Sequence, residues 1–369
     1  MGGVNRFPGR LAIQQRVLPV YRAAFFDLLA SACDGGLSVF AGRPRPDEAI
    51  EVGELKVAVP AEARNFHFLD GPLTLCIQAG LLGWLAHWDP AALIVEANPR
   101  TLTTSRAVRW MRAHNRPVVG WGLGAPPPFG PLAGVRSSRR LAFVKQFDAL
   151  ITYSRRGADE YAALGFPPDR ITVAPNAAAA RPHQSLPTRP PRFEGRPTVL
   201  FVGRLQARKR VDDLLRACAG LPDPLRPRLV IVGDGPERPS LEALAKQIYP
   251  GTEFTGARHG EQLAPYFTRA DLFVLPGTGG LAVQEAMSYA LPVIMGQGDG
   301  TNEDLVRPGN GWRLTGETVS TLIQALEQAL SDPVRLRAMG VESYRIVAEE
   351  INLEKMVGVF TEVLNTVHV

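Results

Sequence analysis

Short runs of β-branched and aliphatic residues alternate with helical patterns along most of the chain, and one proline-rich stretch, Arg181 to Pro197, interrupts them before the alternation restarts. Strands that alternate with helices build an open parallel sheet covered by helices. The interruption holds Pro182, Pro187, Pro190, Pro191 and Pro197 and almost no aliphatic residue. Proline lacks an amide donor and fixes its own φ, so this stretch suits neither a sheet interior nor a helix and reads as an interdomain linker. A length of 369 residues agrees with two domains of roughly 100–200 residues each.

In the first half, strands are expected over 11–15, 37–41, 93–97, 117–122, 150–154 and 171–175. Helices are expected over 101–115, 136–147 and 156–164. Tyr21, Phe25, Leu28, Leu29 and Ala32 recur at helical spacing and give one apolar face. The second half repeats the pattern with strands at 199–202, 229–232, 272–275 and 293–295, then helices over 333–348 and 353–366. The fold class is α/β: a Rossmann-like N-terminal domain over 1–180, the linker over 181–197, a second Rossmann-like domain over 198–345, and a C-terminal helix in 346–369 that returns to the first domain. The two domains are expected to face a central cleft.

The composition narrows the functional classes. Lys and Arg exceed Asp and Glu by 41 − 36 = 5, a mild basic balance that suits phosphate-bearing ligands or an anionic membrane surface and is too weak for a nucleic-acid binder. Cys33, Cys76 and Cys218 stand far apart, with no Cys/His cluster for zinc, so reduced thiols in a cytoplasmic protein and no metal site are expected. The N-terminus shows no secretory leader pattern. The most apolar stretch, 72–95, is broken by Gln78, His87, Asp89 and Pro90; it reads as a buried helix followed by a buried strand, not a membrane span.

Ligands of open α/β sheets sit beyond the carboxyl ends of the strands, which directs attention to the loops of the second half. After the strand at 199–202 comes Gly203-Arg204-Leu205, then Lys209 near a helix start. An Arg fork and a mobile Lys charge beside free amides suit a diphosphate, although a solvated basic loop is the competing account. After the next strand, Gly233-Asp234-Gly235 is a tight turn. After the strand at 272–275, Pro276-Gly277-Thr278-Gly279-Gly280-Leu281 leads into a helix carrying Glu285, whose carboxylate can accept two hydroxyl hydrogen bonds. A ribose diol fits that acceptor pair.

These residues, with Ala270-Asp271 and the Glu285-Ala286-Met287 helix running into Pro292-Val293, resemble the retaining GT-B glycosyltransferases of the group 1, family 4 type. The resemblance is specific over about 198–312. It is looser in the first half, through Leu18-Pro19-Val20-Tyr21-Arg22 and Asp148-Ala149-Leu150-Ile151-Thr152 with Pro175-Asn176-Ala177. It implies transfer of a sugar from a nucleotide-diphosphate donor to a hydroxyl acceptor on a glycan, a glycolipid or a small molecule, with retention and no cofactor or metal. Arg204 and Lys209 would hold the diphosphate and stabilise the leaving group. Gly203, Gly235, Gly277, Thr278, Gly279, Gly280, Leu281 and Glu285 would complete the donor side, and Tyr21, Arg22, Glu96, Asn98, Trp121 and Gly124 the acceptor side. The partners implied are a nucleotide-sugar donor and a hydroxyl acceptor, lipid-linked in one version, with weak association to the inner face of a membrane. A nucleotide-sugar epimerase or a non-catalytic binder would share the architecture.

Two positions depart from the family pattern. Gly277 stands where relatives carry a glutamate that touches the donor sugar, and Trp121-Gly122-Leu123-Gly124 offers no histidine where relatives have one. Two arginine groups stay ambiguous. Arg106, Arg109, Arg112 and Arg116 form one stripe that reads as a solvated face. Arg136, Arg139 and Arg140 share a face with Phe143 and Phe147, which argues against a clean interfacial helix and leaves a phosphate- or acceptor-facing cluster. Glu96 and Asn98 follow a strand and serve either as acceptor contacts or as a plain Asx turn.

Overall fold

The computed structural model describes residues 5–368 except 47, 49, 70, 72, 73, 280, 297, 299 and 317. In chain order the elements are β1 (Leu11–Val17), α1 (Ala23–Ser31), β2 (Leu37–Gly42), β3 (Val59–Phe68), β4 (Leu75–Ala79), α2 (Leu81–Trp88), β5 (Ala92–Glu96), α3 (Thr104–Ala113), β6 (Val118–Gly122), α4 (Ala133–Val144), β7 (Ala149–Thr152), α5 (Arg155–Leu164) and β8 (Ile171–Val173). There follow β9 (Thr198–Val202), α6 (Val211–Gly220), β10 (Arg228–Val232), α7 (Arg238–Ile248), β11 (Glu253–Phe254), α8 (Ala264–Arg269), β12 (Leu272–Leu275) and α9 (Leu281–Ser288). The chain closes with β13 (Val293–Met295), α10 (Thr301–Leu305), β14 (Gly311–Arg313), α11 (Val319–Ser331), α12 (Pro333–Arg345) and α13 (Leu353–Val367). It divides into two compact units: one comprises the residues up to Ala178 together with those from Leu353 onward, the other Ala179–Asn352.

The first unit is built on a sheet of order β4-β3-β2-β1-β5-β6-β7-β8, parallel throughout except for the β3–β4 pair. Its central strands read as unbroken apolar runs because both faces are covered, as in Ala92, Leu93, Ile94 and Val95, all fully buried. β3 and β4 lie outside the strands expected from the sequence. β3 alternates between inward Ala63 and outward Glu62 and Arg64, so it lacks the apolar run that marks a covered strand. The segment 72–95 does contain a helix and a strand, but β4 precedes them and pairs with β3 from Phe68↔Leu75 to Arg64↔Ala79. α13 packs on α1, β7 and β8, and its Phe360 meets the rings of Phe25 and Trp121 at 4.9 and 5.0 Å between centroids.

The second unit has an all-parallel sheet of order β11-β10-β9-β12-β13-β14. The strand order reverses at β9/β12, and the corresponding point in the first unit is β1/β5. Loops diverge at such points and open a crevice beyond the carboxyl ends of the strands. In the first unit, Cys33 and Cys76 are buried, as is Cys218 in the second, and none is bonded to another. No helix among the described residues is long and apolar enough to cross a membrane.

Candidate functional site: a phosphate-ready switch point and a strand-end cavity

At the β9/β12 switch point the backbone of one loop is locked to the other. The Thr278 amide donates to the Arg208 carbonyl at 3.0 Å, and the Arg208 guanidinium reaches the Thr278 hydroxyl at 3.3 Å. Gly277 is the residue that permits this approach, because a Cβ there would run into the Arg208 carbonyl and the Lys209 backbone. The missing glutamate therefore has a steric reason in this chain. Gly279 lies over the Lys209 ammonium, and its φ of +117° is a backbone conformation that side-chain-bearing residues rarely adopt. Gly280 lies outside the described residues. The tight turn after β10 packs in the same way: a Cβ on Gly235 would strike the Leu205 carbonyl, and Asp234 is held by the Gly235 amide and by Arg238.

Lys209 sits in a single helical turn, Ala207–Lys209, before α6, with Arg210 at φ 55° making the break. Only 9% of Lys209 is exposed, and its ammonium donates to the Thr278 carbonyl at 2.6 Å. Burial, reinforced by the neighbouring Arg208 charge, lowers its pKa from 10.5 to about 8. Arg204, two residues past β9, is exposed. Among the described residues neither Arg204 nor Lys209 has a carboxylate partner. Other arginines of the same unit do: Arg210 pairs with Asp213, Arg228 with Glu253 and Arg337 with Asp271. Glu285, in the middle of α9, is half-buried, and desolvation alone raises its pKa. The next residue back, Gln284, is a structural pin that accepts from the Ala179 amide and donates to the Ile351 carbonyl.

Around the glycine-rich loop at its switch point the second unit holds three cations, Arg204, Arg208 and Lys209, and the carboxylate of Glu285, none of them in an ion pair among the described residues. Positive charge without a protein counter-ion suits an anionic ligand, and a lone desolvated carboxylate suits hydroxyl donors.

In the first unit, a cavity of about 340 Å³ opens beyond the carboxyl ends of β5, β6 and β7. Glu96, Asn98, Trp121 and Gly124 line it together, as do Arg100, Arg140, Tyr153 and Tyr161, which sequence reasoning did not single out. Glu96 accepts from the Arg16 amide at 2.9 Å across the β1/β5 switch point, and burial raises its pKa. Asn98 forms an Asx turn, accepting from the Arg100 amide at 3.1 Å. The space beside Gly122 is filled by the Tyr161 phenol, whose pKa burial pushes up to about 12. Tyr21 and Arg22 do not line this cavity. Arg22 is buried under the rings of Tyr21, Trp121 and Tyr153 at 5.2, 5.0 and 5.0 Å and donates to Asn176 at 2.7 Å, a cation held by aromatic faces. A larger cavity, about 770 Å³, lies at the opposite, amino-terminal edge of the sheet, with cations and carboxylates intermixed and none of the candidate residues in it.

Residues 184–345 match the family model described as glycosyl transferases group 1. A GDP-mannose-dependent alpha-mannosyltransferase of Mycobacterium tuberculosis is 42% identical over 118 residues, 31% of this chain and 29% of that protein. A GDP-mannose-dependent alpha-(1-6)-phosphatidylinositol monomannoside mannosyltransferase of Mycolicibacterium smegmatis is 29% identical over 311 residues, 72% of this chain and 79% of that protein. The chain thus spans under a third of the first relative's length and more than three quarters of the second's. The solved apo structure of the lipopolysaccharide outer core galactosyltransferase WaaB superposes with a TM-score of 0.68 at 15% identity, covering 97% of this chain and 99% of that one, which shows the fold. The match to the group 1 glycosyl transferases thus lies within the second unit, and the two units together share the fold of a solved galactosyltransferase.

Proposed function

We propose that this chain transfers a sugar, with retention, from a nucleotide-diphosphate donor held on the second unit to a hydroxyl acceptor received by the first. The observation that carries the reading is the unpaired trio Arg204, Lys209 and Glu285 at the β9/β12 switch point. Arg204 and Lys209 bind the diphosphate, and Glu285 accepts from the ribose diol. As the bond from the anomeric carbon to the phosphate oxygen breaks, charge grows on the leaving diphosphate, and the two cations stabilise it there. The acceptor oxygen bonds the anomeric carbon on the same face, and its proton passes to the departing phosphate oxygen. Positioning supplies most of the rest.

The similarity to GDP-mannose-dependent enzymes supports a GDP-sugar of the mannose type as the donor. The acceptor-side residues proposed are Glu96, Asn98, Trp121 and Gly124, joined by Tyr161. The reading extends to a cytoplasmic protein that visits the inner face of a membrane to meet a lipid-linked acceptor. The test is a thermal-shift screen of nucleotides and nucleotide sugars, followed by a transfer assay with the donors that stabilise the chain. Saturating ligand at a hundredfold its Kd stabilises by about 2.7 kcal/mol. Stabilisation by GDP and GDP-mannose, with sugar transfer that requires an acceptor, supports the reading. Turnover of the nucleotide sugar with no acceptor points to an epimerase, and binding without turnover to a non-catalytic protein.

A further inference from the structure

The phenylalanines on the arginine face of α4 are buried, and a different set of apolar side chains stands exposed beside those arginines. α4 buries only Phe143 and Val144, both in its last turn. Ahead of them, Phe129 is 85% exposed, Leu132 63% and Val135 51%. Leu132, Val135, Arg136 and Arg139 follow the i, i+3, i+4, i+7 spacing of one helical stripe. Arg136 and Arg139 are exposed, with no carboxylate partner among the described residues, and the Arg136 guanidinium lies over Gly130, next to Phe129.

The segment is held in this shape. Pro126, Pro127, Pro128 and Pro131 stiffen it. The Ala133 amide closes a turn on the Gly130 carbonyl at 3.0 Å, and Arg140 donates to the Pro126 carbonyl at 2.6 Å. Arg140 also lines the cavity that holds Glu96 and Trp121.

We infer that the segment from Phe129 to Arg139 is a docking surface for a bilayer bearing anionic lipids. Three apolar tips that protrude beside two unpaired guanidinium groups match the acyl–headgroup boundary: the tips enter it and the cations stay among the lipid phosphates. The inference rests on the proposed lipid-linked acceptor, because docking here brings the Arg140 edge of the cavity to the surface that carries such a hydroxyl.

The experiment is co-sedimentation of the full chain with vesicles of phosphatidylcholine alone and of phosphatidylcholine with phosphatidylglycerol, at low and high salt. Wild type should bind the anionic vesicles, bind less at high salt, and leave the neutral ones largely unbound. Arg136→Gln with Arg139→Gln should weaken anionic partitioning by about 25-fold, about fivefold per arginine. Phe129→Ser with Leu132→Ser and Val135→Ser should weaken it by at least tenfold with the melting temperature unchanged. Wild type that ignores anionic vesicles, or variants that partition like wild type, overturn the inference. Concentration-dependent self-association that the triple variant abolishes also overturns it, in favour of a second copy of the chain. GDP affinity, measured on the same samples, separates the two readings. GDP binding without vesicle binding removes the docking surface alone, and vesicle binding without affinity for any nucleoside diphosphate of the screen removes the glycosyltransferase reading.

Discussion

If Lys209 holds the diphosphate as proposed, nucleotide binding is proton-linked, with a sign fixed by the surroundings of that side chain. Burial and the Arg208 charge lower its pKa from 10.5 to about 8, and a bound diphosphate, two negative charges against a desolvated ammonium, must raise it again. Below pH 7 Lys209 is already charged, and binding there takes up no proton at this site. At a pH about half a unit above the pKa, some three quarters of the unliganded sites are neutral, so binding takes up about 0.7 proton per site. Affinity for GDP should therefore hold steady from about pH 7 to 7.5 and then fall, approaching tenfold per unit between the free and bound pKa values. Folding stability runs the other way: the unfolded chain holds the proton up to its ordinary pKa, so this group's contribution rises with pH from about 8 to 10.5. The assay is calorimetry in buffers of different ionisation enthalpy near pH 8.5, where the nucleotide's own phosphates, with a pKa near 6, are silent. Lys209→Met should lose the uptake and weaken binding by roughly tenfold to a thousandfold, the scale of a buried charge-assisted contact. Zero uptake in wild type, or equal uptake in Lys209→Met, would refute the assignment of Lys209 to the diphosphate.

Two further outcomes follow from the same loops. Glu285→Gln should weaken GDP and the intact donor alike, by about tenfold for the loss of a charged hydrogen-bond acceptor, and a titration in which only the intact donor suffers would move Glu285 from the ribose to the sugar. Gly277→Ala should lower both stability and nucleotide affinity, since its Cβ meets the Arg208 carbonyl and the Lys209 backbone; overpacking of this kind costs about 1–3 kcal/mol, and an unchanged melting temperature with unchanged affinity would show that the loops yield freely.

The parts of this molecule legible in the sequence are those where one signal suffices. β9, β10, β12 and β5 are covered on both faces, so their apolar runs are visible without partners. The candidate donor site is legible because Arg204 and Lys209 follow β9, and Glu285 stands on the helix that follows β12, the two strands that flank the switch point of a parallel sheet. β3 and β4 are not visible in the sequence because β3, which pairs with β2 on one side and β4 on the other, carries Glu62, Arg64 and Asn65 along its length, and β4 is an edge strand whose partner strand is β3. The role of Gly277 was legible only as an absence, and its cause, the backbone of Arg208 and Lys209 far earlier in the chain, appears once the loops are in contact. Arg22 shows the opposite failure. The resemblance placed it on the acceptor side, whereas the structure packs it under three aromatic rings with Asn176 as its hydrogen-bond acceptor. Tyr161 was missed because a tyrosine on a helix carries no mark of facing a strand end until Gly122 admits it.

The difference between Arg22 and Arg204 states a general criterion for reading charge in this fold. Both follow a first strand at a switch point, and both carry the same guanidinium. Arg22 is 4% exposed and its charge is met by π faces and an amide oxygen, so displacing it toward a ligand would break contacts already made. Arg204 is exposed and Lys209 is buried, yet neither meets a carboxylate among the described residues, although Asp213, Asp234 and Asp271 of the same unit are all engaged by other arginines. On the proposed reading, Arg204, Arg208 and Lys209, left without carboxylate partners among the described residues, hold positive potential for an incoming anion, and the depressed pKa of Lys209 is the cost of holding it there before the anion arrives.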